Sequence, residues 1–179
     1  MSDAAEPQIN GQRDSAVSVR FCRKEDLSAI LKIEQASYPT PWNRSSFAHE
    51  LHNPHGRFLV AEQSGKTAGT SKRAAKKIVG YLCSWLIIDE VHILNLAVHP
   101  DCRGCGIAQA LLARTLTQAS RTGACSANLE VRENNHAAIA LYRKFGFETV
   151  TVRPKYYENQ EDGLLMICSL KNKSKHRKQ

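Results

Sequence analysis

The sequence predicts one domain of the α/β (α+β) class, a mixed sheet with helices packed on its faces, and three observations carry that prediction. Its 179 residues suit a single domain with a proper core, because domains cluster near ~100 to 150 residues and bury roughly two thirds of their surface at this size. Segments of strand and helix periodicity follow one another in the order βααββ, then βαβαββ, with no internal repeat. One nearly continuous apolar run, VHILNLAV at 91–98, reads as a strand covered on both faces, and it leads through a glycine-containing loop into a helix.

Each element has a local reason. VSVRFC, 17–22, sets Val17, Val19 and Phe21 at alternate positions, the period of a half-buried strand, after a start at 1–15 of disordered composition. Leu27, Ile30, Leu31 and Ile33 recur at helical spacing up to about Ala36. YPTPWNRSSFAHEL, 38–51, opens with a double-proline turn and offers Asn43 as N-cap of a short helix carrying Phe47 and Leu51. RFLVAEQ, 57–63, and KIVGYLCSWLII, 77–88, read as strands of a hairpin whose loop is enlarged. His99-Pro100 stops the apolar strand. Ile107, Leu111, Leu112, Leu116 and Ala119 then form one helix face that ends near Gly123. ANLEVR, 127–132, is a strand, and Asn134-Asn135 caps a helix with the stripe Ala138, Ile139, Tyr142 and Phe145, stopped by Gly146. FETVTV, 147–152, and GLLMICSL, 163–170, finish as strands.

The net charge of +8 is unevenly placed. Lys66, Lys72, Arg73, Lys76 and Lys77 lie in an acid-free stretch at 64–77, and Lys171, Lys173, Lys175, Arg177 and Lys178 lie in an acid-free tail at 171–179. Without those ten charges the remainder is slightly acidic, so the basicity belongs to a loop and a tail rather than to the folded core. Solvated segments are the plain reading; weak attraction to RNA or the ribosome is the sharper one. No apolar run of about 18 residues could span a bilayer, and the polar start lacks the apolar stretch of a secretory signal, so a cytoplasmic protein with no membrane partner is expected. The six cysteines then read as reduced thiols, and Cys22, Cys83, Cys125 and Cys168, in or beside apolar runs, as small core residues.

The stretch DCRGCGIAQALL, 101–112, contains a CxxC at Cys102 and Cys105. A structural zinc site needs four ligands and no second pair lies at suitable spacing, so no metal is expected. A low-pKa thiol at a helix N-terminus, sensitive to oxidation or alkylation, is a side reading. The glycines make a better case. The first N–H groups of a helix lack internal partners and sit at the positive end of its dipole, so an anionic phosphate fits there. Gly104 and Gly106 let the backbone approach it closely, and Arg103 adds a permanent charge. The loop is neither a Walker A motif nor GxGxxG; by itself a short GxG before a helix is often a mere turn.

Arg103-x-x-Gly106-x-Ala108, after an apolar strand and before an apolar helix, resembles the R/Q-x-x-G-x-G/A pyrophosphate loop of the GNAT acetyltransferases. LEVRENNHAAIALYRKFGF, 129–147, is similar over its whole length, without gaps, to the form LEVRxxNxxAIxLYxxxGF found in their RimI-like branch, the ribosomal-protein alanine N-acetyltransferases. The likeness runs from about residue 17 to 170. It implies the GNAT fold, a mixed, mostly antiparallel sheet of six to seven strands flanked by about four helices, in a monomer. It implies acetyl-CoA as co-substrate, with Leu96, Ala97 and Val98 on the pantetheine arm, the loop Arg103, Gly104, Cys105, Gly106, Ile107, Ala108 and Gln109 on the pyrophosphate, and Asn135 on CoA. Glu130 becomes the general base and Tyr142 the general acid, while Tyr38, Trp42, Tyr156 and Tyr157 shape the peptide groove.

Read without the family, Tyr142 belongs to an apolar stripe, Asn135 is an N-cap, the aromatic pair at 156–157 is packing, and Glu90 is a surface residue beside the site. Glu130, between Leu129 and Val131, falls on the opposite strand face to both. Cys105 stands where these enzymes often carry Arg, which implies one fewer phosphate contact. The expected function is acetylation of a protein N-terminal α-amine, most simply the alanine terminus of a small-subunit ribosomal protein. Lysine side chains or a small amine are the alternative substrates, and an RNA- or ribosome-binding module that has lost catalysis is the rival from another class.

Overall fold

A computed structural model describes residues 17–64, 76–157 and 159–170. The start expected to be disordered, the basic tail and all but the ends of the 64–77 insertion, with the RNA contact expected of them, lie outside the described residues. Seven strands and four α-helices follow in the expected order: β1 (Val17–Phe21), α1 (Leu27–Ser37), α2 (Arg44–His52), β2 (Gly56–Ser64), β3 (Lys76–Ile87), β4 (Glu90–Val98), α3 (Ile107–Arg121), β5 (Ser126–Arg132), α4 (His136–Lys144), β6 (Glu148–Arg153) and β7 (Gly163–Ser169). They form one sheet in the order β1-β2-β3-β4-β5-β7-β6. Only the β4–β5 pair is parallel; the others are antiparallel. This is the mixed, mostly antiparallel arrangement expected.

The sheet is covered on both faces, as the apolar run in β4 requires. On one side Ile107, Leu111, Leu112 and Leu116 of α3 and Ile139 and Tyr142 of α4 pack on Leu59, Leu82, Val91, Leu129 and Met166. On the other, Leu27, Ile30 and Ile33 of α1 and Phe47 of α2 pack on Phe58, Val60, Tyr81 and Cys83. Strict alternation in β5 buries Ala127, Leu129 and Val131 and leaves Asn128, Glu130 and Arg132 on the opposite face. That period-2 pattern puts the expected base on the α1–α2 side.

The caps match the sequence signals. Asn43 accepts the N–H of Ser46 at 2.9 Å and Asn135 that of Ala138 at 3.2 Å. Gly123 and Gly146, at φ 93° and 83°, take the left-handed conformation that closes α3 and α4. One reading needs correction. Cys22, Cys83 and Cys168 are buried, but Cys125 is only half-buried. It lies in the turn before β5, where its backbone, not its thiol, makes the tie: its N–H donates to the Asp89 carbonyl and its carbonyl accepts from Leu170.

Candidate active site

β4 and β5 pair only over Glu90–Ile93 and Ser126–Leu129. Beyond that point no ladder joins them, so Leu94–Val98 and Glu130–Arg132 part and open a cleft in the sheet. A β-bulge marks the same place: Cys83 pairs with Asn95 and Ser84 with Ile93, which leaves Leu94 as the extra residue. Two cavities, of about 540 Å³ and 510 Å³, open into the cleft. Tyr38, Leu96, Asn135, Ala138 and Tyr142 line both. The two cavities therefore adjoin at these five residues.

The larger cavity is lined by Leu96, Ala97, Val98, Arg103, Gly104, Gly106, Ala108, Gln109 and Asn135 among others. Gly104 and Gly106 both have φ 76°, and Gly106 is the residue from which α3 starts. Left-handed backbone twice in three residues is a conformation that glycine takes without strain, and the first-turn N–H groups of the helix it leads into have no partner within the helix, an arrangement that suits an anion. Arg103 lies along its edge, donating to the Val98 carbonyl at 3.3 Å and Ser37 Oγ at 3.4 Å. Two expected members do not line the cavity. Cys105 is exposed to solvent, and the Ile107 side chain is buried in the α3 core, so each offers only its backbone.

The smaller cavity is walled by Glu130, Arg132, Tyr156 and Tyr157 on one side and by Tyr38, Thr40, Pro41 and Trp42 on the other. Glu130 accepts from the Tyr156 hydroxyl, and its other oxygen lies 2.5 Å from Arg153. The Glu130 bond and then burial raise the Tyr156 phenol above its ordinary value. Arg132 lies 3.9 Å from the Tyr157 ring centre and donates to Asn159 and Glu161, both at 2.9 Å, which folds the β6–β7 loop over this mouth. Burial pushes the Tyr157 phenol up to about 12. Tyr142 is 8% exposed, with its ring against Phe147 at 5.8 Å. Burial, then Tyr157, holds its phenol well above the usual range, so its proton stays on at any physiological pH. Tyr38 donates to the Leu96 carbonyl at 2.7 Å.

Sequence reasoning missed four residues here: Arg132, Arg153, Asn95 and Glu34. The last is 1% exposed and lines the same cavity. A polar residue inside an apolar run was the one available signal, and only Asn95 gives it. Glu90 is exposed, 3.6 Å from His92, outside both cavities.

The cysteines recede. Among the described residues no group of three His, Cys, Asp or Glu could hold a metal ion. Burial pushes the Cys102 thiol up rather than down. Replacing Cys102 and Cys105 together by Ser is expected to leave the acetyl-transfer rate nearly unchanged in a steady-state assay; loss of activity would show that the thiols take part.

The acetyltransferase (GNAT) family matches this chain over residues 27–147. The chain belongs to that family. A Bacillus subtilis protein provisionally named [ribosomal protein bS18]-alanine N-acetyltransferase is 36% identical over 155 residues, 86% of this chain and 95% of the relative. The [ribosomal protein bS18]-alanine N-acetyltransferase of Escherichia coli is 33% identical over 148 residues, covering 81% and 92%. The crystal structure of the Escherichia coli ribosomal-protein-S18-alanine N-acetyltransferase superposes with a TM-score of 0.75 at 26% identity, over 91% of this chain and 99% of that one. This GNAT chain is thus an N-acetyltransferase with acetyl-CoA as co-substrate, and its larger cavity has a glycine loop with Arg103 at one end and the apolar side chains of Leu96, Ala97, Val98 and Leu141 beside Tyr142. No helix among the described residues is long and apolar enough to cross a membrane.

Proposed function

We propose that this protein acetylates the N-terminal α-amine of a protein, with the alanine terminus of a small-subunit ribosomal protein as substrate, and so works in the cytoplasm. One observation carries the reading: the two cavities meet at Tyr142, with a phosphate cradle on one side and Glu130 in an aromatic-walled cavity on the other. The named activity of the two relatives supplies the substrate class.

When bound, acetyl-CoA supplies an activated thioester. Arg103, Gly104, Gly106 and the first N–H groups of α3 hold its pyrophosphate; Asn135 and the β4 backbone from Leu96 to Val98 hold the arm. The Leu96–Val98 edge freed by the parting of β4 and β5 offers backbone donors to the thioester oxygen. Glu130 receives one proton of the incoming ammonium, through a water. As the amine nitrogen bonds the thioester carbon and the C–S bond breaks, Tyr142 delivers a proton to the departing thiolate and regains one from the second that the nitrogen loses. An α-amine is a tractable substrate for a carboxylate. At an ordinary pKa of ~7.7 to 8.0 roughly a tenth is neutral at pH 7, whereas a lysine near ~10.4 is neutral well under 0.1% of the time.

The test is a mass-spectrometric acetylation assay on peptides that differ only in starting with Ala, Ser, Met or Gly. Acetylation of the Ala-starting peptide at its α-amine is expected. Modification confined to lysine side chains, or no binding of acetyl-CoA by calorimetry, would overturn the reading.

A further inference from the structure

We infer that Glu34 is a positioning residue: its buried carboxyl group clamps the 38–43 turn to the bulge of β4 and thereby fixes the turn wall of the amine-side cavity relative to the β4 residues beside it. The inference rests on the function proposed above, but neither Glu34 nor Asn95 is given a role there.

Glu34 sits on the inward stripe of α1 with Leu27, Ile30 and Ile33, among apolar side chains. Burying a carboxylate there is unfavourable unless each oxygen is satisfied. Both are. One oxygen accepts the main-chain N–H of Trp42 at 2.8 Å and Asn95 Nδ2 at 3.2 Å; the other accepts the Tyr81 hydroxyl. Tyr81 is itself fully buried, its ring edge-on to Phe47 at 5.4 Å, so the donor cannot swing away.

Glu34 and its three partners come from four elements: α1, the turn before α2, β3 and β4. Two of the contacts have consequences at the site. Trp42 lines the amine-side cavity, and its backbone N–H is held by the Glu34 side chain rather than by the turn itself. Asn95 directly follows the extra residue of the β4 bulge, and its neighbours Leu94 and Leu96 line the same cavity. A bulge is a place where strand register can slip, because the extra residue is left out of the ladder. The Glu34–Asn95 bond removes that freedom. A hydrophobic residue at 34 would fill the space but leave turn and bulge free to shift, and an error of about 1 Å in a reacting group can cost on the order of 100-fold in rate.

The experiment compares wild type with Glu34→Gln and Asn95→Ala, the second keeping the test open should the first fail to fold. Calorimetry with acetyl-CoA gives the affinity and, from its stoichiometry, the fraction of competent protein. Steady-state kinetics with an Ala-starting peptide gives kcat and KM separately. In both variants acetyl-CoA affinity is expected to stay near wild type, while kcat/KM for the peptide falls by roughly 10- to 100-fold, with a raised peptide KM. A structural role alone would lower the competent fraction and leave the peptide KM unmoved, and that result overturns the inference. So does wild-type kcat/KM in a folded Glu34→Gln. If wild type itself acetylates no peptide, the proposed function fails first, and the two failures are told apart by the wild-type lane.

Discussion

Tyr142→Phe is expected to lower kcat by about 100- to 1,000-fold while acetyl-CoA affinity stays near wild type, since a positioned general acid contributes on that order. The substitution keeps the ring and its packing on Phe147 and removes only the hydroxyl at the junction of the two cavities. A second signature lies in the pH profile. Burial raises the Tyr142 phenol above its ordinary value. A general acid works while protonated, so activity is present below its folded pKa and lost above it, and the upward shift extends the working range. The kcat/KM of wild type should therefore rise as the substrate α-amine loses its proton near ~7.7 to 8.0 and then stay level to about pH 10. Near-wild-type kcat in the Phe variant would remove Tyr142 from the mechanism. A fall between pH 8 and 10 in wild type would show that burial does not hold its proton as described.

Most of this fold was legible because its signals are local. The alternation in ANLEVR, the stripe from Ile107 to Ala119 and the Asn caps each depend on a few neighbouring residues, and each element formed where those signals lie. The Cys125 error has the same origin in reverse: a position beside an apolar run was read as core, but turn geometry before β5 decided its exposure. For the candidate site the sequence was informative where a short motif carries the geometry, as in the loop at 103–108, and where one face of a strand can be counted, as for Glu130.

It was silent where the contact is long-range. Glu34 falls on the apolar stripe of its helix with Leu27 and Ile30, but nothing near it in the chain announces Tyr81 or Asn95, which lie 47 and 61 residues away. Arg153, the ion-pair partner of Glu130, is likewise one of six exposed residues on an edge strand and has no distinguishing neighbour. Such residues are fixed by sheet order, and sheet order is what a single sequence states least directly.

Gly106→Val is the other large effect expected, a weakening of acetyl-CoA binding by about 100-fold or more, roughly 2.7 kcal/mol. Gly106 has φ 76° and ψ 5° and is the residue from which α3 departs. A left-handed conformation costs an L-residue roughly 1 to 2 kcal/mol, and a β-branched one more. Val would relieve that strain by rotating the loop, which turns the N–H groups of the first turn of α3 away from the larger cavity, and its side chain would enter the space Gly106 now lines. Both effects act on the phosphate and neither on the amine side. Gly123→Val separates strain from site. Gly123 is also left-handed, at φ 93°, with nothing near an added Cβ, but it closes the far end of α3. That variant should lose stability on heating and keep its acetyl-CoA affinity by calorimetry. If Gly106→Val kept that affinity as well, the glycines would be turn residues only, and the two cysteines between which Arg103 and Gly104 stand would again need a role.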